Sequence, residues 1–396
     1  MAKSLALNGG MPVRKTLLPY GRQSLDESDL QAVARVFQGD WLTQGPAVAR
    51  FEDAFADALG ARYAVAFSSG TAALHSACFA AGLGPEDEVI VPAMTFAATA
   101  NAALFVGAKP VFVDVDARTG LLDPADIARV LSPRTRTVIP VHYAGRPVDM
   151  DALAEVIDGR DITIIEDACH ALGAMYRGTP AGRLGDMACF SFHPVKHITT
   201  GEGGMVVTDD AQYAERLRLF RNHGIVRDEA AVRREGGWHN EMRALGYNYR
   251  ITDIQCALGL NQLRRLDQFL SARLFHAARY DTELADLPEV TVLPQQDDFL
   301  CAYHLYPSLF DMDALSCDKK TLFAGLRAEG IGVQVHYIPV PRHPYYRQRG
   351  YDPADTPGAE EFFAREISLP LFADMTDDDR GDVIAAVRKV VTAFRR

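Results

Sequence analysis

Lys196 is the residue whose position most favours chemistry, because it follows the apolar run 188–192 and is followed by a glycine-rich turn. A lysine held at such a place is partly desolvated, which lowers its pKa and makes its amine available for Schiff-base formation with a carbonyl compound. Taken alone, a solvated surface lysine is the simpler interpretation.

Two acids and a histidine follow another apolar run. Glu166 and Asp167 end the stretch 162–167, and His170 lies three residues further on. Zinc needs three or four convergent ligands, whereas the alternation of a strand sends Glu166 and Asp167 to opposite faces. We therefore expect one functional carboxylate and no metal.

A small polar turn, Ser69-Gly70-Thr71, joins the run 64–67 to an alanine-rich helix. The first N–H groups of such a helix and its positive dipole end suit a phosphate, although ordinary capping by Ser or Thr is the alternative. An anion site, a carboxylate and an amine on neighbouring strand ends are what pyridoxal 5′-phosphate requires: a phosphate cradle, a partner for its ring nitrogen and an amine for its aldehyde.

Seven β-rich runs separated by crossover-length helices must position these groups. Continuous apolar runs of this kind are typical of parallel strands covered on both faces, so we predict an α/β fold with a mostly parallel central sheet. Ligands collect at the carboxyl ends of such strands. The predicted strands are 64–67, 88–92, 110–115, 137–143, 162–167, 188–192 and 204–208.

Beyond this sheet the pattern changes to a smaller α+β unit, which we expect to begin within a long helical stretch after Thr252. Its predicted strands lie at 304–310 and 332–340, and a helix after Thr376 closes it. The expected organisation is an N-terminal arm at 1–25, a large cofactor-binding domain at 26–260 and a small C-terminal domain at 261–396.

Composition narrows the class of protein. The chain has 396 residues, with 41 Lys plus Arg against 52 Asp plus Glu and a net charge of −11, which argues against a nucleic-acid or anionic-membrane partner. No secretory signal is evident, and no segment approaches the roughly 18 to 20 apolar residues of a membrane helix. Six scattered cysteines without a C-x-x-C pair indicate buried, reduced thiols. We expect a cytoplasmic enzyme.

Five motifs, in order along the chain, resemble those of the DegT/DnrJ-type sugar aminotransferases. They are Ser68-Ser69-Gly70-Thr71-Ala-Ala-Leu, Pro92-Ala-Met-Thr95-Phe96, Glu166-Asp167-Ala-Cys-His170-Ala, Ser191-Phe-His-Pro-Val-Lys196 and Gly246-Tyr-Asn248-Tyr-Arg-Ile-Thr. The resemblance implies a fold-type-I transferase that uses pyridoxal 5′-phosphate and works as a homodimer, with active sites at the subunit boundary. A dehydratase on the same fold would carry histidine at position 196.

The resemblance also implies a role for each matching position. Lys196 would hold the cofactor covalently and act as the catalytic base, Asp167 would pair with the ring nitrogen, and Phe96 would stack on the ring. His170 would lie near the phenolic oxygen, unless it is a hydrogen-bonded core histidine. The phosphate would be bound by Ser69, Gly70, Thr71 and Ser191, and by Asn248 of the other subunit.

Within the family, the segments 39–46, 191–204 and 332–340 most resemble enzymes of pseudaminic acid biosynthesis. This implies transfer of an amino group from L-glutamate to the C4 keto group of a UDP-linked 4-keto-6-deoxy-N-acetylhexosamine. The alternatives are a dTDP- or GDP-linked keto sugar, a sugar of the bacillosamine or legionaminic pathways, and a non-catalytic regulator that binds the cofactor. Candidates for binding the anionic nucleotide sugar are Arg227, Trp238, Arg250, His336, Tyr337 and Arg342.

Overall fold

The computed structural model describes residues 5–294 and 298–396. The strands are β1 (Tyr63–Phe67), β2 (Glu88–Pro92), β3 (Lys109–Val113), β4 (Thr135–Val138), β5 (Thr163–Asp167), β6 (Met175–Tyr176), β7 (Thr179–Pro180), β8 (Met187–Ser191), β9 (Gly204–Thr208), β10 (Ile225–Val226), β11 (Glu241–Met242), β12 (Val290–Val292), β13 (Phe299–Leu300), β14 (Tyr306–Phe310) and β15 (Glu366–Leu369). The α-helices are α1 (Glu27–Phe37), α2 (Pro46–Leu59), α3 (Gly70–Ala80), α4 (Ala97–Phe105), α5 (Pro124–Val130), α6 (Met150–Ile157), α7 (Ala211–Arg221), α8 (Glu229–Glu235), α9 (Asp253–Leu263), α10 (Leu266–Leu284), α11 (Lys319–Ala328), α12 (Pro344–Arg347), α13 (Pro357–Arg365) and α14 (Asp377–Phe394).

The central sheet has seven strands in the order β1-β9-β8-β5-β4-β2-β3. Its neighbours pair in parallel except around β9, which runs antiparallel to both β1 and β8. The other six strands therefore share one direction, and their carboxyl ends meet at one edge. The predicted α/β fold with a mostly parallel sheet is confirmed.

Helices cover both faces of this sheet, as the apolar runs indicate. In β1, Val65 and Phe67 pack in a cluster with α3 and α4, while Ala64 and Ala66 pack in a second cluster with α2 and α9. This alternation with period two is what a strand buried on both faces requires.

One predicted strand ends earlier than its apolar pattern, and one predicted helix is divided in two. The run 137–143 gives β4, which ends at Val138, because Pro140 has no N–H with which to continue the ladder. Single bonds extend the pairing, since Asp167 N–H donates to the Pro140 carbonyl at 2.9 Å. The helical stretch after Thr252 is two helices, α9 and α10, separated at Arg264 and Arg265.

The C-terminal part has a three-stranded antiparallel sheet, β12-β14-β15, which packs with α10, α11 and α14. The predicted strand at 304–310 is β14, and the helix after Thr376 is α14. The predicted strand at 332–340 is wrong. Only Gln334 pairs with β15, because the next N–H in the ladder, that of His336, donates to the Glu366 side chain at 3.0 Å instead of to its carbonyl.

All six cysteines are unbridged; Cys169 and Cys317 are partly exposed and the other four are buried. Throughout the described ranges, no helix combines the length and the apolar character that crossing a bilayer demands.

Candidate active site

A cavity of about 420 Å³ lies at the edge where β1, β2, β5 and β8 end. This is where the carboxyl ends of parallel strands were expected to collect a ligand. The cavity is lined by ten of the residues singled out in the sequence, namely Ser69, Gly70, Thr71, Phe96, Asp167, His170, Ser191, Lys196, His336 and Tyr337.

One end of the cavity is formed by the N-terminus of α3. The Ser69 side chain caps this helix by accepting the Ala72 N–H at 3.1 Å. The remaining N–H groups of the first turn have no intrahelical partner, and with the helix dipole they form an anion site. A Cβ on Gly70 would lie 2.9 Å from the Ser191 Cβ, so glycine allows the turn to meet the end of β8.

Asp167 is buried at the end of β5 and held in a fixed orientation. Thr99 Oγ1 donates to its Oδ2 at 2.7 Å, and the Cys169 N–H donates to its Oδ1 at 3.2 Å. Thr95 Oγ1 lies 2.8 Å from Thr99 Oγ1. Because the single Thr99 proton goes to the carboxylate, Thr95 must be the donor in that second bond.

Glu166 points away from the cavity, as strand alternation requires. It is fully buried on the other face of β5, where it accepts the backbone N–H groups of Gly182, Leu184 and Gly185 at 2.7–2.9 Å. His142 Nε2 lies 2.9 Å from its second oxygen. Glu166 is therefore satisfied by structural hydrogen bonds, and Asp167 is the carboxylate that faces the ligand.

Lys196 reaches the cavity from the loop after β8. Desolvation lowers the pKa of its amine to about 8, while the nearby Asp167 carboxylate opposes this shift and Arg273 adds to it. Burial raises the pKa of the Cys169 thiol well above its usual value, so this neighbour is uncharged. Its Nζ lies 3.3 Å from His304 Nε2. A substantial fraction of the amine is thus neutral near pH 8, as a nucleophile and base must be.

His170 and Tyr337 form a hydrogen-bonded pair in the wall of the cavity. The Ala144 N–H donates to His170 Nδ1 at 3.3 Å, so the His170 proton is assigned to Nε2, which donates to the Tyr337 oxygen at 2.9 Å. The Tyr337 O–H is then available as a donor. Burial and the nearby Lys196 hold the pKa of His170 well below its usual value, so the ring is neutral.

His336 connects the cavity to a buried carboxylate. Ser368 Oγ donates to Glu366 Oε1 at 2.5 Å and lies 2.8 Å from His336 Nδ1, which makes Nδ1 the donor to the serine. Burial lowers the pKa of His336 to about 3 and raises that of Glu366 to about 7.

Several lining residues were missed in the sequence. Thr99 lies in the first turns of α4, and Tyr20 comes from the N-terminal arm. His304 is the first residue of the predicted strand 304–310 and lies two residues before β14, so the rule that directs attention to the residues after a strand does not select it. The available signal for Thr99 was that it is a polar residue three positions after the motif residue Phe96, one helical turn away.

Asn248 and Arg250 do not line this cavity in the described chain. Asn248 is exposed and its backbone bridges to Asn222. Arg250 Nη1 donates to Asn222 Oδ1 at 2.8 Å and lines a separate hollow of about 280 Å³ together with Arg218 and Arg221.

The three other candidates for substrate binding are also outside the cavity. Arg227 donates to the Gly237 carbonyl at 2.9 Å, close to Trp238, whose side chain is 81% exposed. Arg342 pairs with Glu360 at 3.1 Å and stacks over a phenylalanine ring.

Comparison with known proteins identifies relatives over nearly the whole chain. The model of the DegT/DnrJ/EryC1/StrS aminotransferase family matches residues 23–388. The spore coat polysaccharide biosynthesis protein SpsC of Bacillus subtilis (strain 168) is 41% identical over 383 residues, which are 96% of this chain and 98% of SpsC.

Solved structures also match this chain over nearly its whole length. Spr1654 from Streptococcus pneumoniae in its PMP form superimposes with a TM-score of 0.90 at 30% identity, covering 95% of this chain and 99% of that one. Helicobacter pylori PseC, an aminotransferase involved in the biosynthesis of pseudoaminic acid, has a TM-score of 0.89 at 32% identity over 96% of this chain and all of its own.

Proposed function

The chain belongs to the DegT/DnrJ/EryC1/StrS aminotransferase family, and from this premise we propose that it moves an amino group from L-glutamate to the C4 keto group of a UDP-linked 4-keto-6-deoxy-N-acetylhexosamine. Its class is shown by that family: it is a sugar aminotransferase of fold type I that depends on pyridoxal 5′-phosphate. The likeness to PseC over the full length of both chains supports the choice of sugar.

The observation that carries the aminotransferase chemistry of the proposal is the fit of three separate groups in one cavity. The N-terminus of α3 provides an anion site for the cofactor phosphate. Asp167, with both oxygens held by donors, matches the protonated ring nitrogen. Lys196 offers an amine whose pKa is lowered to about 8. The exposed ring of Phe96 lies beside them for stacking.

When bound, pyridoxal phosphate supplies an aldehyde for amine exchange and a ring that accepts electrons released at the donor Cα. Lys196 Nζ removes the Cα proton of glutamate in the first half-reaction and delivers a proton to C4 of the sugar in the second. The oxygens of Asp167 hold the proton of the ring nitrogen. The His170–Tyr337 pair provides a hydrogen-bond donor for the phenolic oxygen. Since the two substrates react in turn, we expect ping-pong kinetics.

We further propose that the working unit is a homodimer in which the segment 227–250 approaches the cavity of the partner subunit. This segment contains Asn248, Arg227, Trp238 and Arg250. Arg342 is retained as a candidate contact for the nucleotide. Large apolar side chains exposed on one copy support this assembly, among them Leu30, Phe37, Trp41, Trp238 and Leu245.

Mixing inactive subunits tests the shared site. Lys196→Ala and Asn248→Ala chains, each poorly active alone, should regain activity when they exchange subunits, because one site of the mixed dimer then has both residues. If the mixture stays as inactive as its parents, Asn248 does not act in the partner's site.

A different nucleotide sugar is the second candidate, and it is favoured by the 41% identity to SpsC, whose name places it in spore coat polysaccharide biosynthesis. The test is incubation with glutamate and a panel of UDP-, dTDP- and GDP-linked 4-keto-6-deoxy sugars, followed by mass detection of aminated product. Reaction of the UDP N-acetyl sugar supports the first proposal. Reaction of dTDP or GDP sugars alone would transfer the assignment to the second.

A further inference from the structure

Arg273 is a buried cation without a carboxylate partner among the described residues. It lies on α10 and is 1% exposed. Its guanidinium donates to backbone carbonyls instead: Nη1 to those of Tyr303, His304 and Leu371 at 3.0–3.2 Å, and Nη2 to that of Val195 at 3.4 Å. Burying an unpaired charge is costly, so this arrangement requires an explanation beyond packing.

Three of the four carbonyls that Arg273 binds belong to the two backbone segments that converge on Lys196; the fourth is that of Leu371. Val195 immediately precedes Lys196, and the imidazole of His304 lies 3.3 Å from Lys196 Nζ. We propose that Arg273 is a positioning residue for Lys196: it joins the backbone before Lys196 to the segment that carries His304, and its positive charge favours the neutral form of the amine. The proposal rests on the role of Lys196 in the proposed function.

Among the charged groups near Lys196, Arg273 is the one that favours loss of the proton from its amine. The Asp167 carboxylate, on β5, stabilises the ammonium, whereas Arg273 destabilises it in addition to burial. The Cys169 thiol is uncharged, because burial raises its pKa well above the usual value. The histidines around the amine are uncharged near neutral pH, because burial lowers the pKa of each; they are His170, His197, His304 and His336. Removing the charge at position 273 should therefore raise the pKa of Lys196.

Two substitutions separate charge from position. Arg273→Gln keeps a hydrogen-bond donor without the charge, while Arg273→Lys keeps the charge but loses the planar fork that spans several carbonyls. A matched control is Arg380→Gln, because Arg380 is also buried but pairs with Asp377 and faces His276 in the C-terminal part.

The readout is the rate at which Lys196 is acetylated by acetic anhydride in the full-length protein freed of cofactor, followed by peptide mass between pH 6 and 11. Wild type and the Arg380 variant should titrate near pH 8. Arg273→Gln should titrate about 1 pH unit higher. Arg273→Lys should titrate with wild type, but its cofactor-loaded form should turn over about tenfold more slowly, because the amine is displaced.

The outcomes distinguish a failure of the role proposed for Lys196 from a failure of the role proposed for Arg273. A midpoint near pH 10.5 in wild type would refute the role given to Lys196 itself. If the wild-type midpoint is near pH 8 and Arg273→Gln does not change it, the role of Lys196 stands and only the effect of the Arg273 charge is refuted. If the Gln variant does not fold, Arg273→Lys decides: a raised midpoint refutes the charge effect, and wild-type turnover refutes the positioning.

Discussion

The hydroxyl of Thr99 should be required to hold Asp167 against the cofactor ring. Thr99→Val keeps the shape of the side chain but removes the donor that reaches Asp167 Oδ2 at 2.7 Å, and it leaves the Thr95 hydroxyl without its acceptor. Both threonines and the aspartate are buried, so water does not replace the lost bond.

The size of the effect follows from this geometry. A hydrogen bond to a charged group contributes about 1.5–3 kcal/mol, and the Cys169 N–H still holds the other oxygen of Asp167. We therefore expect the unfolding free energy of the cofactor-free protein to fall by about 1–2 kcal/mol, and turnover with glutamate to fall about tenfold. Urea denaturation and the absorbance change of the first half-reaction measure these two quantities.

Thr137 on β4 provides a matched control. It is fully buried and its hydroxyl has no hydrogen-bond partner among the described residues. Thr137→Val should therefore leave turnover unchanged and stability equal or higher, because no hydrogen bond is lost. If Thr99→Val behaves like Thr137→Val in both assays, the orientation of Asp167 does not depend on this bond and our account of the carboxylate is wrong.

Three further predictions concern the amine and the Tyr337 pair. Lys196→Ala should fold and bind the cofactor but lose about 10³-fold in the glutamate half-reaction, measured by stopped-flow absorbance; near-normal rates would remove the base. Without cofactor, Lys196→Met should be more stable than wild type at pH 7 in urea, since wild type buries an amine. That advantage should shrink from about pH 8 to 10.5, where the unfolded wild-type chain binds more protons than the folded one; a constant difference would contradict the lowered pKa. Tyr337→Phe should lower turnover about fivefold, because His170 loses its acceptor, whereas the remote Tyr346→Phe should not; equal effects would argue against the pair.

The sheet and the main ligand groups were predictable because they depend on local pattern. Short apolar runs predict the strands. Asp167 ends one of these strands and Lys196 follows another by a few residues, so the shared edge where parallel strands end brings the two residues close together. Glycine at position 70 was part of the same signal, because a helix that begins beside another strand end has no room for a side chain.

The features that the sequence did not predict depend on contacts between distant segments. The extended segment 332–340 has the alternation of a strand, but the Glu366 carboxylate takes the His336 N–H that a strand would use. His304 and Arg273 approach Lys196 from 108 and 77 positions away, in stretches whose composition resembles any core helix or strand. No local pattern predicts such convergence.

The most direct test of the account is the location of the covalent bond to the cofactor. Protein saturated with pyridoxal 5′-phosphate is reduced with borohydride, digested, and mapped by mass spectrometry. We predict a pyridoxyl group on the peptide that contains Lys196, and none in the Lys196→Ala variant. A pyridoxyl group on another lysine, or the absence of any adduct in wild type, would contradict the central claim.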